Sequence, residues 1–267
     1  MLEYDFMRTA FAAGTVVAIV AGAVGYFLVL RNLAFAGHAL SHVGFAGATG
    51  AVLLGVAPFW GLLIFTIAGG VGMGLLGDQL RGRDIAVGII LSLSLGLGVL
   101  FLHLYTSHAT QATALLFGNV LGVSPENLRD MVVLGVITLI LLTAIARPLI
   151  FATLDPELAQ AKGVSLRLIA VLFLVIVAVA VAEAVQVVGI LLVFALMVGP
   201  AAAALRCTTR IRTGIVLSAV LGVAETWAGI GLAYVTDWPP SSWITLLSAL
   251  VYGLTYVPRL LPRAAHG

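Results

Sequence analysis

The chain has 267 residues, 62% of them hydrophobic and only 9% charged, with a formal net charge of +2. A water-soluble domain carries roughly 25% charged residues, so an ordinary soluble enzyme or binding module is excluded. One cysteine, Cys207, excludes an internal disulfide and a cysteine-rich metal site, and the scattering of the basic residues at the ends of apolar runs gives no nucleic-acid-binding patch.

The apolar runs are continuous for about twenty residues, the length a helix needs to cross a hydrocarbon core about 30 Å thick, whereas a β-barrel needs alternating strands of about ten. The sequence therefore predicts an all-α integral membrane protein, a single transmembrane domain over 1–267. Candidate spans are 9–30, 37–56, 59–77, 85–104, 129–151, 166–185, 187–205, 212–235 and 241–258. The first is the least sharply bounded, which gives a bundle of eight or nine crossings. Glu3 and Asp5 precede it against a single Arg8, unlike the cationic start of a signal peptide, so it is expected to be retained. The 30 glycines suit helices that must approach closely where lipid supplies no hydrophobic drive.

The second run opens with GHALSH, residues 37–42. Helical spacing puts His38 and His42 on one face, about 5–6 Å apart at Cβ, so both rings can reach one cation. The alternative is a packed helix start with each ring satisfied by backbone. The zinc-protease form of such a pair needs a glutamate after the first histidine, and Ala39 stands there instead. His103 and His108 flank the end of the fourth run and are further candidates to collect a metal or simply a polar span end.

Residues 105–128 are too long for a hairpin and too polar for a span, yet contain the apolar TALLFGNVLG; a short re-entrant or interfacial helix is expected there. Ser124, Pro125 and Glu126 then read as a capped helix start. The one long polar inner segment is 154–167, LDPELAQAKGVSLR, in which Asp155 can cap a short helix, Pro156 occupies its first position, Glu157 its first turn, and Gly163 ends it. That segment is either a solvated connection or the docking point of a cytoplasmic partner. Lys162 lacks the glycine and hydroxyl neighbours of a phosphate-binding loop, so the chain has no motif of its own for ATP hydrolysis and is not read as an enzyme.

Two acids lie in apolar runs. Glu225 falls near the middle of its span, where an ionisable side chain costs at least about 2.5–3.5 kcal/mol, and is either a structural buried acid or part of a cation path. Glu183 lies nearer the end of its own run and is a second-rank candidate. TDWPPSSW, 236–243, has the prolines and tryptophans of an interfacial turn. A cytoplasmic C-terminus leaves only Arg8 and Arg129 of the 13 basic residues in outer loops, as the positive-inside rule requires.

Five stretches in order, VLRNLAFAGHALSH (29–42), AVGIILSLSLGLG (86–98), LLFGNVLGVSPENL (115–128), LDPELAQAKGV (154–164) and VVGILLVFALMVGPAAAA (187–204), resemble the membrane permease subunits of ATP-binding-cassette importers for zinc, manganese and ferrous iron. The resemblance implies a bacterial inner-membrane protein that forms a dimer of permeases, two cytoplasmic ATPase subunits, and an extracytoplasmic protein that delivers the metal. It implies that Asp155, Pro156, Glu157, Ala161 and Gly163 belong to the coupling element, and that His38 and His42, with Glu225, line the metal path. No permanently bound cofactor is implied; the divalent metal is cargo.

The family helix normally reads GDxLSH, and this chain has His38 where the aspartate is usual. An imidazole in place of a carboxylate removes a hard oxygen and shifts preference from manganese toward zinc, which is the expectation drawn here, with manganese or iron as alternatives. If the lost carboxylate instead abolishes the metal contact, the cargo is a chelate or another solute, and Glu225 could restore the charge within the same cavity. An ion-coupled secondary transporter is the rival of another class, disfavoured by the docking segment; a nontransporting scaffold is the third.

Overall fold

The computed structural model describes residues 3–76, 83–104, 116–190 and 192–256. Every regular element among them is helical: α1 (Asp5–Leu30), α2 (Ala34–Leu53), α3 (Pro58–Leu76), α4 (Arg83–Leu104), a 3₁₀ turn at Val120–Gly122, α5 (Pro125–Leu154), α6 (Pro156–Ala161), α7 (Leu166–Val188), α8 (Val193–Cys207), α9 (Ile211–Thr236) and α10 (Pro240–Leu254). His108, residues 105–115 of the expected re-entrant segment and the C-terminal residues 257–267 lie outside the described residues; of the apolar TALLFGNVLG, the described part, 116–122, ends in the 3₁₀ turn.

Six of these helices, α1, α3, α4, α5, α7 and α9, are long and apolar enough to cross a membrane. Helix α2 has the length, 20 residues, but carries four glycines, six alanines and the two histidines. α8 and α10 have 15 residues each, about 22 Å at 1.5 Å per residue, which is short of a full core. The expected span 187–205 is thus cut at its start. Gly189 takes φ +78, ends α7, and turns the chain before α8 begins at Val193. The expected span 241–258 likewise stops at Leu254.

Helices α1 and α7 are the interior of the bundle. In each, 72% of the most apolar 18 residues are buried, against 22% in α4 and α5, whose outward faces are left for lipid or another apolar surface. α1 touches α5, α7, α8 and α9 along its length. Its sequence allows this because small residues recur on every side: Gly22 meets the backbone at Ser218 and Ala219, and Gly25 meets the Met197 carbonyl, so closely that an added Cβ would overlap it. Polar ties fix the register of these contacts, with Ser218 donating to the Gly22 carbonyl at 2.8 Å and Trp227 Nε1 donating to Thr15 Oγ1 at 2.8 Å.

Local signals behave as their chemistry requires. Ser124 Oγ accepts from Asn127 N at 3.1 Å and Pro125 opens α5. Asp155 Oδ1 accepts from Leu158 N at 3.0 Å, Pro156 opens α6, and Gly163 takes φ +84 just after it. Asn119 Oδ1 accepts from Gly122 N at 3.1 Å and holds the 3₁₀ turn, while Gly118, at φ +73, lies backbone to backbone against Gly189.

Candidate functional site

Helix α2 begins at Ala34, three residues before the expected start, so the histidine pair sits one turn inside the helix rather than at its opening. His38 and His42 are half-buried, with ring centroids 4.8 Å apart at an interplanar angle of 85°. One pair of imidazoles is therefore within reach of a single ion. Ser41, between them in sequence and fully buried, donates to the His38 carbonyl at 2.7 Å.

A residue from another helix completes the arrangement. Phe194, in the first turn of α8, stands edge-on to His38 with centroids 5.5 Å apart at 78°. His38 Nδ1 is buried with no hydrogen-bond partner. Metal-binding histidines ordinarily have the second ring nitrogen fixed by a hydrogen bond, so here packing, not a hydrogen bond, orients the ring. In the sequence Phe194 is one more residue of an apolar run, and nothing there marks Gly189 as the turn that brings it to α2.

The acids lie elsewhere. Glu225, on α9, is 3% exposed, and Ser248 of α10 stands beside it with its hydroxyl committed to the Ala195 carbonyl at 3.0 Å, so neither carboxyl oxygen receives a well-formed hydrogen bond. Glu183, on α7, is fully buried with both oxygens unpartnered, in a slot left by Gly135 of α5, where a side-chain carbon would come within 3.0 Å of Oε1. His103 is exposed in the last turn of α4. Among the described residues no three histidine, cysteine or acidic side chains cluster closely enough to hold one ion, so Glu225, Glu183 and His103 do not join the histidine pair as a third ligand.

At the opposite end of the functional reading, α6 is a short capped helix between two long membrane helices. Glu157 is exposed, and Leu154 and Leu158 are 68% and 46% exposed although apolar, while Ala159 is fully buried and anchors the turn. A folded turn that presents a charge and two leucines outward is suited to docking.

Long apolar helices with small-residue crossings define a multi-pass helical membrane protein. The chain belongs to the ABC 3 transport family, whose model matches residues 3–257. It is 30% identical over 257 residues to the manganese transport system membrane protein MntC of Halalkalibacterium halodurans, covering 96% of this chain and 88% of that one. It is 29% identical over 255 residues to the manganese import system permease protein ScaB of Streptococcus gordonii, with 95% and 91% covered. Among solved structures, PsaBC from Streptococcus pneumoniae in complex with Fab matches with a TM-score of 0.85 at 28% identity, over 96% of this chain and 92% of that one. The resemblance read from the five sequence stretches is thereby established at the level of family, and the protein is a multi-pass protein of the bacterial inner membrane.

Proposed function

We propose that this chain is the permease of an importer for manganese, driven by cytoplasmic ATPase subunits and supplied by an extracytoplasmic metal-binding protein, with a second permease subunit completing the path. The observation that carries the reading is the His38–His42 pair, set inside a helix at 4.8 Å, in a chain similar over 96% of its length to a manganese permease. The zinc expectation rested on one position, His38, and whole-chain similarity to manganese systems weighs more than one ligand. The imidazole at 38 then acts on selectivity: it narrows the preference of the path for manganese over zinc, because nitrogen suits the more borderline ion. Family membership leaves ion-coupled secondary transport and a passive scaffold without support.

In this reading α6 docks in the ATPase, with Asp155, Pro156, Ala161 and Gly163 shaping the turn and Glu157 and Leu158 facing the partner. The test is Glu157→Arg in the purified permease–ATPase complex. Because Glu157 is exposed, the reversal leaves the fold intact, and association with the ATPase and transport-coupled ATP hydrolysis should both fall at least tenfold, about what 1.4 kcal/mol of lost contact energy gives. Normal assembly with normal coupled hydrolysis would show that the segment is only a connection.

A further inference from the structure

The turn between α8 and α9 forms a cleft of about 410 Å³ lined by Arg206, Cys207, Thr208, Thr209, Arg210 and Thr213, with no acidic side chain among them. The guanidinium of Arg206 lies over the Tyr256 ring, 3.5 Å from its centroid. Its Nε and Nη2 are buried and have no hydrogen-bond acceptor. Arg206 therefore rests on an aromatic face and has no counter-ion among the described residues. The only ion pair among the described residues is Arg8 with Asp5, far from here in the chain.

The backbone asks for the same partner. α9 is 26 residues long and starts at this cleft with no side-chain cap. Thr208 Oγ1 does accept from Arg210 N at 3.2 Å, but that amide precedes the helix. The amides of the first turn thus present partial positive charge to a place already holding Arg206 and Arg210, with Arg212 just inside the helix. Cations at a helix N-terminus are unfavourable by themselves; an anion between them reverses the sign.

We propose that this cleft binds the phosphate group of an anionic phospholipid, with Arg206 and Arg210 as the charged contacts and the threonine hydroxyls and α9 amides as neutral donors. The location favours a lipid over a solute. Tyr252 and Tyr256, whose hydroxyls lie 2.7 Å apart, stand at the end of α10 beside Arg206, as aromatic residues do at a membrane interface, and Leu254 there is 65% exposed, ready for an acyl chain. The charge bias of the loops assigns this end to the cytoplasmic leaflet, the one rich in anionic headgroups.

The test is native mass spectrometry of the purified permease–ATPase complex with phosphatidylglycerol or phosphatidylcholine added, in the parent, Arg206→Gln, Arg210→Gln and Arg147→Gln. Arg147 is exposed on α5 and does not line the cleft. Phosphatidylglycerol should be retained in preference to phosphatidylcholine, and each cleft variant should lower its retention about fivefold while Arg147→Gln leaves it unchanged. Arg210 is exposed and outside the tyrosine contact, so its variant reports on binding even if Arg206→Gln disturbs packing. Equal retention in all four proteins overturns the proposal. So does displacement of the lipid by millimolar inorganic phosphate, which would assign the cleft to a free anion. Unaltered lipid retention with weakened ATPase association in Arg206→Gln would also overturn it, by making the partner an acidic protein surface.

Discussion

Leucine in place of Gly25 is expected to remove folded permease from the membrane. The glycine Cα faces the Met197 carbonyl, and an added side chain would overlap backbone rather than a movable side-chain tip. Overpacking in a close-packed interior costs typically 1–3 kcal/mol, and a backbone neighbour that cannot rotate away puts this case at about 3 kcal/mol or more. The crossing at stake joins α1, the centre of the bundle, to α8, the helix that carries Phe194 to the histidines. Gly88→Leu on α4 is the control, because nothing lies within 4 Å of a Cβ there. Size-exclusion recovery of the detergent-solubilised protein should fall sharply for Gly25→Leu and stay near the parent level for Gly88→Leu; equal recovery would mean that α1 and α8 do not cross at this point.

Alanine in place of His42 is expected to cut manganese uptake at least tenfold at equal membrane expression. Loss of a group that merely orients a metal ligand commonly costs about 10–100-fold in affinity, and the loss of one of two ligating rings should cost no less. Substitution of His103, exposed and apart from the pair, should leave uptake within about twofold, the range of a surface change of up to about 0.5 kcal/mol. Acidification acts in the same direction as His42→Ala. Neutral imidazole binds metal and imidazolium does not, so uptake should weaken once the pH is low enough to protonate the pair.

Much of this was legible because it depends on local chemistry. The apolar runs marked the helices, Ser124 and Asp155 the starts of α5 and α6, and Gly163 the end of the α6 turn, since each acts through its own neighbours in the chain. The five family stretches gave the transport class. What failed depended on tertiary contacts. Nothing in VVGILLVFALMVGP says that Gly189 will turn the chain and shorten α8, because that requires Gly118 to arrive from a distant segment and pack against it. The placement of Phe194 against His38 follows from the same turn. The surroundings of Glu225 were equally beyond reach, because sequence gives only its depth in the membrane. Its helix faces α1, α8 and α10, and the carboxyl group ends beside Ser248. The substrate preference inferred from His38 alone illustrates the same limit, since one ligand's hardness is a weaker guide than the similarity of the whole path.

Uptake of manganese and of zinc by proteoliposomes containing the permease–ATPase complex and ATP, compared among the parent, His38→Asp and His42→Ala, tests the metal path most directly. His42→Ala should lose uptake of both ions, whereas His38→Asp should keep transport and raise the manganese-to-zinc ratio, because a carboxylate oxygen suits the harder ion. Uptake by His38→Asp should also persist to lower pH than uptake by the parent, since a carboxylate stays ionised where imidazole becomes protonated. Identical uptake, ion ratio and pH profile in all three proteins would contradict the account and leave His38 and His42 as packing residues of α2.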